Sequence, residues 1–245
     1  MTMSDNFKLS VVIPCYNEAG NIPLIISRFK EVLPDDIDCE VLLVNNGSTD
    51  NSAEIFEKEL TAINDPRFKV VDVAKNQGYG FGILTGLASA QGDVMAWTHA
   101  DMQTDPNDVI RAFEIYIQHN NPLLFVKGKR MSRDFVPLFF TWGMGRIASW
   151  ALGEKLYDIG AQPKLFSRLF YTNHLQKNAP WDFSLDLYAQ YWAQREGKII
   201  EIPVYFTKRV YGEAKGGGNI KTRIKVTRRV FSYILNLRRE LKKDN

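Results

Sequence analysis

The sequence predicts an α/β fold, a mostly parallel sheet flanked by helices, followed by a C-terminal basic helix with an apolar stripe. Three observations lead there. Short apolar runs rich in β-branched residues alternate with helix-length segments through the first hundred residues. Each predicted strand ends in a polar or glycine-rich loop. The chain has 245 residues, 45% of them hydrophobic and 24% charged, enough to bury a sizeable core in one or two domains and to exclude disorder as the main state.

The elements follow in order. Leu9 to Pro14 reads as the first strand, Ala19 to Val32 as a helix, Glu40 to Val44 as a strand and Ser52 to Thr61 as a helix. Lys69 to Val73, Gly82 to Ala90 and Asp93 to Trp97 continue the alternation. Right-handed crossovers place the carboxyl ends of such strands on one edge, where open α/β sheets bind ligands. Beyond Arg111 the pattern loosens into a helix to about His119, a strand at Leu123 to Lys127, helical stretches around Ile147 and Leu185, and a strand at Ile199 to Phe206. Lys221 to Lys243 has apolar residues at helical spacing and nine Lys or Arg among its other positions. That helix suits an anionic membrane or a subunit interface, with packing on its own domain as the alternative. The expected organisation is a domain over 1–218, with halves at 1–127 and 128–218, and a C-terminal helix at 219–245. Gly216-Gly217-Gly218 reads as a flexible joint between them.

Charge divides the two halves. Residues 1–127 hold 9 Lys or Arg against 18 Asp or Glu, and the remainder hold 22 against 10. A basic half suits phosphorylated substrates or anionic lipid, while the acidic half beside it argues against nucleic acid. Cys15 and Cys39 are too few for a disulfide framework and lack zinc-site spacing, which points to a reducing compartment. No basic start followed by an apolar stretch opens the chain, so no signal peptide is expected. The longest apolar run, Phe135 to Leu152, is interrupted by Pro137, Gly143, Gly145 and Arg146 and reads as interfacial or buried.

The loops carry the chemistry. They read Cys15-Tyr16-Asn17-Glu18, Asn45-Asn46-Gly47-Ser48-Thr49-Asp50, Asn76-Gln77-Gly78-Tyr79-Gly80 and Thr98-His99-Ala100-Asp101-Met102-Gln103. Singly, such residues make turns and helix caps; four in register predict one crevice. With Gly92-Asp93, Gly128-Lys129-Arg130 and Arg209-Val210-Tyr211-Gly212-Glu213-Ala214-Lys215, they run in the order found in family-2 glycosyltransferases of the GT-A fold. The chain resembles that family over about 200 residues, especially the branch of dolichyl-phosphate mannose synthase and bacterial polyprenyl-phosphate glycosyltransferases.

The resemblance implies a nucleotide-sugar site in 1–127, with Pro14, Tyr16 and Glu18 around base and ribose, Asn46 at the base edge, and Gly78, His99 and Asp101 completing the pocket. Family members usually carry Asp at positions 45 and 46. The neutral Asn oxygen still accepts a base N–H, through a weaker bond. Asp50 is expected to cap the helix beginning at Asn51. His99-Ala100-Asp101 stands where the family has a D-x-D motif, so Asp101 is implied as ligand of Mg²⁺ or Mn²⁺, with Gln103 as a further candidate. His99 is read first as a contact to substrate or a support for the ligands, with direct metal ligation as the alternative.

Arg130 stands at the family's Gly-Ser-Arg arginine, and Arg209, Tyr211 and Lys215 fall in the stretch that closes over diphosphate or acceptor phosphate. Asp182 and Asp186 lie four apart before a helix, on one face if the helix has begun. Asp186 is the first candidate for a catalytic base, and Asp182 serves as base or N-cap. The branch's acceptor segment is altered to Asp158-Ile159-Gly160-Ala161-Gln162-Pro163-Lys164. His119 and His174 are read as structural.

The expected function is inverting, metal-dependent transfer from a UDP- or GDP-sugar to a polyprenyl-phosphate or lipid-linked acceptor, by a cytoplasmic protein peripheral on the inner membrane face. Transfer to a saccharide hydroxyl in cell-surface polysaccharide synthesis and a non-catalytic GT-A binding protein remain alternatives, and a homo-oligomer is admitted. A dinucleotide-dependent oxidoreductase is excluded, because Gly78-Tyr79-Gly80 follows the third strand rather than the first and lacks the remaining glycine spacing.

Overall fold

The computed structural model describes residues 7–131, 135–212 and 220–241, with side chains described outside 135–142 and 220–225. One seven-stranded sheet organises the chain, in the order β3-β2-β1-β4-β6-β5-β7. The strands are β1 (Leu9–Cys15), β2 (Cys39–Asn46), β3 (Phe68–Val73), β4 (Val94–Trp97), β5 (Leu124–Arg130), β6 (Lys164–Ser167) and β7 (Lys198–Val204). β3, β2, β1 and β4 are mutually parallel, β6 runs antiparallel between β4 and β5, and β7 pairs parallel to β5. Chain order reverses beside β1, which sends β2 to one side and β4 to the other. Open α/β sheets bind ligands at such a switch point.

Central strands covered on both faces need apolar residues at every position, and all of β2 is buried. Along β1 the pleat sends Leu9, Val11, Ile13 and Cys15 to one core and Val12 to the other. The first core is closed by α1 (Ile22–Val32), α2 (Ser52–Ile63) and α4 (Asn107–His119). In α1, Ile22, Ile25, Ile26 and Phe29 form a helical stripe facing inward. α2 and α4 stop at Asn64 and Asn120, whose positive φ gives the left-handed turn that ends a helix. The buried Glu40 ties three strands together, accepting from Ser10 Oγ at 2.7 Å, Gln91 N at 2.6 Å and Lys69 Nζ at 2.8 Å.

The opposite core lies under α3 (Tyr79–Ser89), α5 (Phe135–Leu152), α7 (Leu185–Glu196) and α8 (Ile220–Leu241). Between β6 and α7 the chain makes a short helix, α6 (Arg168–Phe170), and a π-helical turn at Tyr171–Leu175. α8 packs on its own domain through Val230, Ile234 and Leu237 and against α5. Phe231 and Leu235 stay exposed on it. No helix among the described residues is long and apolar enough to cross a membrane. The joint at Gly216-Gly217-Gly218 lies outside the described residues.

Two differences from the sequence reading bear on the site. β6 is absent from the expectation, because a four-residue strand beginning with Lys164 shows neither an apolar run nor alternation. α3 begins at Tyr79 rather than Gly82, after Gly78 turns the chain at φ 132°, and so its first turn belongs to the site. There the segment before α7 lies flat on α3: Phe81 N donates to Trp181 O at 2.9 Å, and a Cβ on Gly80 would meet Pro180 O at 2.5 Å and Asp182 O at 2.8 Å. These are backbone oxygens, which cannot rotate away. Gly80→Ala should lower stability by about 1–3 kcal/mol, the usual scale of overpacking, measured by urea denaturation. Unchanged stability would show that segment 180–182 yields freely.

Candidate active site

The loops after β1, β2, β3 and β4 meet at the carboxyl edge of the sheet, and hydrogen bonds fix their mutual positions. Asn17, at φ 53°, accepts from Thr49 N at 2.7 Å and donates its own N–H to Ser48 Oγ at 3.1 Å. Asp50 bridges the same loops, accepting from Ser52 N, the first residue of α2, at 3.0 Å and from Ala19 N at 3.4 Å, while Asn51 holds the N-cap position. Asn45 is held by Asp72 and Ser48. Gly47 takes φ 67° and leaves no room for a Cβ, which would lie 2.3 Å from Asn76 N.

A cleft of about 310 Å³ opens between these loops, and Pro14, Tyr16, Glu18, Asn46, Gly78, His99, Asp101 and Arg209 all line it. Asn76, Tyr79, Ala100 and Phe183 line it too; the sequence reading gave them no role. Tyr79 carries a visible signal, an aromatic residue between two glycines at a strand end. Phe183 carries none, since it is far along the chain and arrives by the packing of segment 180–182 on α3. Asn46 Nδ2 donates to Gly78 O at 3.0 Å, while its buried Oδ1 has no hydrogen-bond partner.

At one wall Asp101 Oδ1 accepts from Gln103 N at 3.1 Å, and Oδ2 accepts from Arg209 Nη2 at 2.6 Å. Arg209 also stands 3.9 Å from Glu18. Its segment is docked on the β4 loop: Thr207 N donates to Gln103 O at 2.9 Å, Thr207 Oγ1 to Met102 O at 2.9 Å, and Gln103 Nε2 to Thr207 O at 3.3 Å. Gln103 therefore holds the segment instead of lining the cleft. Tyr211 packs over Gly20 and its carbonyl accepts from Asn21 at 3.3 Å, away from the cleft. Lys215 lies outside the described residues.

Beneath the other wall is a buried polar chain. Asp186, in the first turn of α7, accepts from Lys164 Nζ and from Gln162 Nε2, the latter at 3.0 Å. Gln162 Nε2 also reaches Tyr79 Oη at 3.3 Å, and Tyr79 Oη lies 3.2 Å from His99 Nε2. Tyr79 stacks on Phe183 with ring centroids 5.0 Å apart. Burial, with the charge of Asp186 added, holds the Tyr79 phenol well above its usual range and so protonated. Burial pushes the His99 imidazole down. It also pushes the Lys164 ammonium down, and Asp186 opposes that.

The remaining candidates do not line the cleft. Arg130 is paired with Asp158, Nη2 to Oδ1 at 2.6 Å, and lies over the Phe206 ring at 5.2 Å. Because α7 begins at Leu185, Asp182 precedes the helix and does not share a helical face with Asp186; its Oδ1 accepts from Ser184 N at 2.8 Å. His119 bonds its own helix at Ile115 O, and His174 faces Glu196.

For a divalent cation the described residues of the cleft offer two carboxylates, Asp101 and Glu18, both beside Arg209. No group of three His, Cys, Asp or Glu that could hold a metal occurs among the described residues. Mg²⁺-like ions are commonly held by one or two carboxylates, with substrate phosphates and water completing the shell. Asp101, balanced by a guanidinium and facing open volume, fits that pattern.

The family model "Glycosyl transferase family 2" matches residues 10–172. The chain is 33% identical over 134 residues to the uncharacterized glycosyltransferase YkcC of Bacillus subtilis, covering 54% of this chain and 41% of that one. It is 29% identical over 217 residues to the undecaprenyl-phosphate 4-deoxy-4-formamido-L-arabinose transferase of Pectobacterium carotovorum, covering 87% and 64%. The chain thus spans less than two thirds of either relative's length. Among solved structures, the mannosyltransferase PcManGT of Pyrobaculum calidifontis, in complex with GDP-Man and Mn²⁺, matches with a TM-score of 0.68 at 20% identity over 95% of this chain and 65% of that one. Glucosyl-3-phosphoglycerate synthase of Mycobacterium tuberculosis, with Mn²⁺, UDP and glucosyl-3-phosphoglycerate, gives 0.71 at 18% over 95% and 80%. At these identities the likeness is one of fold.

The Lys164–Asp186 pair yields a stability prediction. Lys164→Met leaves a buried carboxylate uncompensated and should cost about 3–5 kcal/mol in urea denaturation, whereas Lys164→Met with Asp186→Leu should recover most of that loss. Equal losses in single and double variants would show that the pair is not coupled.

Proposed function

The chain belongs to glycosyl transferase family 2, and we propose that its cleft performs an inverting, divalent-metal-dependent transfer of a sugar from a UDP- or GDP-sugar to a polyprenyl-phosphate acceptor at a membrane surface. The observation that carries this reading is Asp101 held by Arg209 at the wall of the cleft. A nucleoside diphosphate with its cation matches both halves of that pair, the cation replacing the guanidinium on Asp101 and the phosphates receiving the guanidinium. Pro14, Tyr16 and Glu18 border the space for base and ribose, and Asn46 lines the same cleft. Held there, the cation would screen the charge that develops on the leaving diphosphate.

The acceptor follows from the state of the carboxylates. Asp186 is occupied by Lys164 and Gln162, and Asp182 by the backbone of its own turn. A sugar hydroxyl needs a base to take its proton; a lipid phosphate is already ionised at neutral pH and attacks without one. The undecaprenyl-phosphate relative supports this acceptor, and the solved relatives with GDP-Man or UDP and Mn²⁺ support the donor and the metal. Arg130 would meet the acceptor phosphate by exchanging Asp158 for it. Exposed Ile147 and Trp150 on α5 and Phe231 and Leu235 on α8, among Arg146, Arg228, Arg229 and Arg239, support a peripheral seat on anionic lipid.

The test is radiolabelled transfer from a panel of UDP- and GDP-sugars to undecaprenyl phosphate in detergent, with Mg²⁺ or Mn²⁺. Lipid-extractable product that chelation abolishes is expected. Asp101→Asn should lower turnover by about 100-fold or more, the scale of lost electrostatic stabilisation at a transition state, with unchanged thermal melting. Full activity of that variant with metal still required would remove Asp101 from the site. Transfer to saccharide hydroxyls alone, lost in an Asp186→Asn variant that still binds donor, would replace the lipid acceptor and make Asp186 the base.

A further inference from the structure

We propose that Asp186, Gln162 and Tyr79 are positioning residues that fix the proton of His99 on Nδ1, so that position 99 presents a hydrogen-bond donor to a phosphate oxygen in the cleft. The donor and acceptor capacities of the chain set this direction. Lys164 only donates, and Asp186, paired with it, accepts. The edge of Gln162 facing Asp186 at 3.0 Å must then be its NH₂, because the amide oxygen there would oppose a carboxylate. The same NH₂ has a second hydrogen, which points to Tyr79 Oη at 3.3 Å. Tyr79 receives that hydrogen on its oxygen and keeps its own proton to donate to His99 Nε2 at 3.2 Å. A nitrogen that accepts carries no proton, so in the neutral ring the proton sits on Nδ1.

Among the described residues that proton has no acceptor. Among the described residues no hydrogen bond reaches His99 Nδ1, and it is not closed off as a buried orphan. The ring is held edge-on to Tyr79, with centroids 5.9 Å apart and 83° between planes, while Tyr79 is clamped by Phe183. Arg209 is a cationic side chain lining the same cleft. A guanidinium and an imidazole N–H together present donors, and a phosphate oxygen, which only accepts, is the ligand chemistry that fits both. The ligand half of the proposal rests on the nucleotide-sugar reading above; the tautomer does not. Asp186 then acts through hydrogen bonds on His99 and takes no proton from an acceptor.

The experiment uses the ¹⁵N-labelled full chain and two-bond ¹H–¹⁵N correlation spectra, which separate the two imidazole tautomers. With three histidines in the chain, His119→Gln and His174→Gln assign His99. UDP, GDP or farnesyl phosphate is added with Mg²⁺, and binding is measured in parallel by calorimetry. The expected result is a protonated Nδ1 in the wild type, a shift toward protonated Nε2 in Tyr79→Phe, and a shifted Nδ1 resonance with UDP or GDP, whose binding weakens about tenfold in Tyr79→Phe. A shift with farnesyl phosphate alone supports the donor role and assigns it to the acceptor phosphate. A protonated Nε2 in the wild type overturns the proposal, and so does a tautomer unchanged in Tyr79→Phe. Should that variant not fold, the wild-type tautomer alone decides. Calorimetric binding of UDP or GDP with no change at Nδ1 overturns the ligand assignment and leaves the nucleotide reading standing. Binding of neither nucleotide overturns the nucleotide reading, with the tautomer still read separately.

Discussion

The buried ion pair between Lys164 and Asp186 is the constraint around which the second half of the molecule is arranged. Removing two charges from water costs several kcal/mol for each ion, and their attraction recovers this only with good geometry and further hydrogen bonds. Here Lys164 Nζ also donates to Ala161 O at 3.1 Å, and Asp186 also accepts from Gln162. The pairing register aligns Trp97 of β4, Lys164 of β6, Lys127 of β5 and Glu201 of β7 across the sheet. Two fully buried ammonium groups lie side by side in that row, and each has a carboxylate, Lys164 through Asp186 and Lys127 through Glu201 at 3.1 Å. A one-residue slip of β6 would turn Lys164 to the other face and strand both Lys164 and Asp186. The antiparallel insertion is therefore specified by charge where its four residues are too short to be specified by apolar pattern.

From that pair the polar chain runs upward to the cleft wall, so the same contact that seats β6 against α7 also sets Tyr79 and His99. Across the cleft the wall is built on different terms. Asp101 and Arg209 form their pair between the β4 loop and segment 205–212, which is held by the hydrogen bonds of Thr207 and Gln103. One wall is anchored in the core, and the other depends on a segment whose exposed Tyr205, Val210 and Tyr211 contribute little burial. The first side is fixed by buried contacts, and the second is the side whose contacts open at lower cost.

The sequence shows the first half of the molecule far more legibly than the second. Strands β1 to β4 are nearly continuous apolar runs separated by helical lengths, and their loops carry their chemistry in adjacent residues. Pro14, Tyr16, Glu18, Asn46, Gly78, His99 and Asp101 therefore stand in the cleft as the order of the loops suggests. Beyond residue 130 the informative contacts join residues distant in sequence. Lys164 looks like a surface lysine until Asp186 is placed beside it, and Phe183 becomes part of the cleft only through backbone contacts with Gly80 and Phe81. Gln162, within a segment that departs from the family pattern, shows its place only in space, as the link between Asp186 and Tyr79.

The departures from the family pattern in this chain become coherent when they are considered as one set of hydrogen-bond polarities. Asn45 is spent on Asp72 and Ser48, so its neutral amide is a structural joint between β2, β3 and the second loop. Asn46 splits its functions, with its NH₂ on Gly78 O and its buried oxygen left without a hydrogen-bond partner. Two aspartates here would have lost both amide donors, since a carboxylate cannot donate to Asp72 or to a carbonyl. At position 99 a carboxylate would likewise meet the Tyr79 hydroxyl as an acceptor, but it would add a second anion beside Asp101. The imidazole accepts from Tyr79 without that charge and retains one N–H. Asn46 and His99 line the cleft without adding negative charge to it, which leaves Asp101 and Glu18 as its carboxylates among the described residues, while Asn45 serves the joint beneath. A less anionic cleft with Arg209 in it is better matched to an anionic ligand.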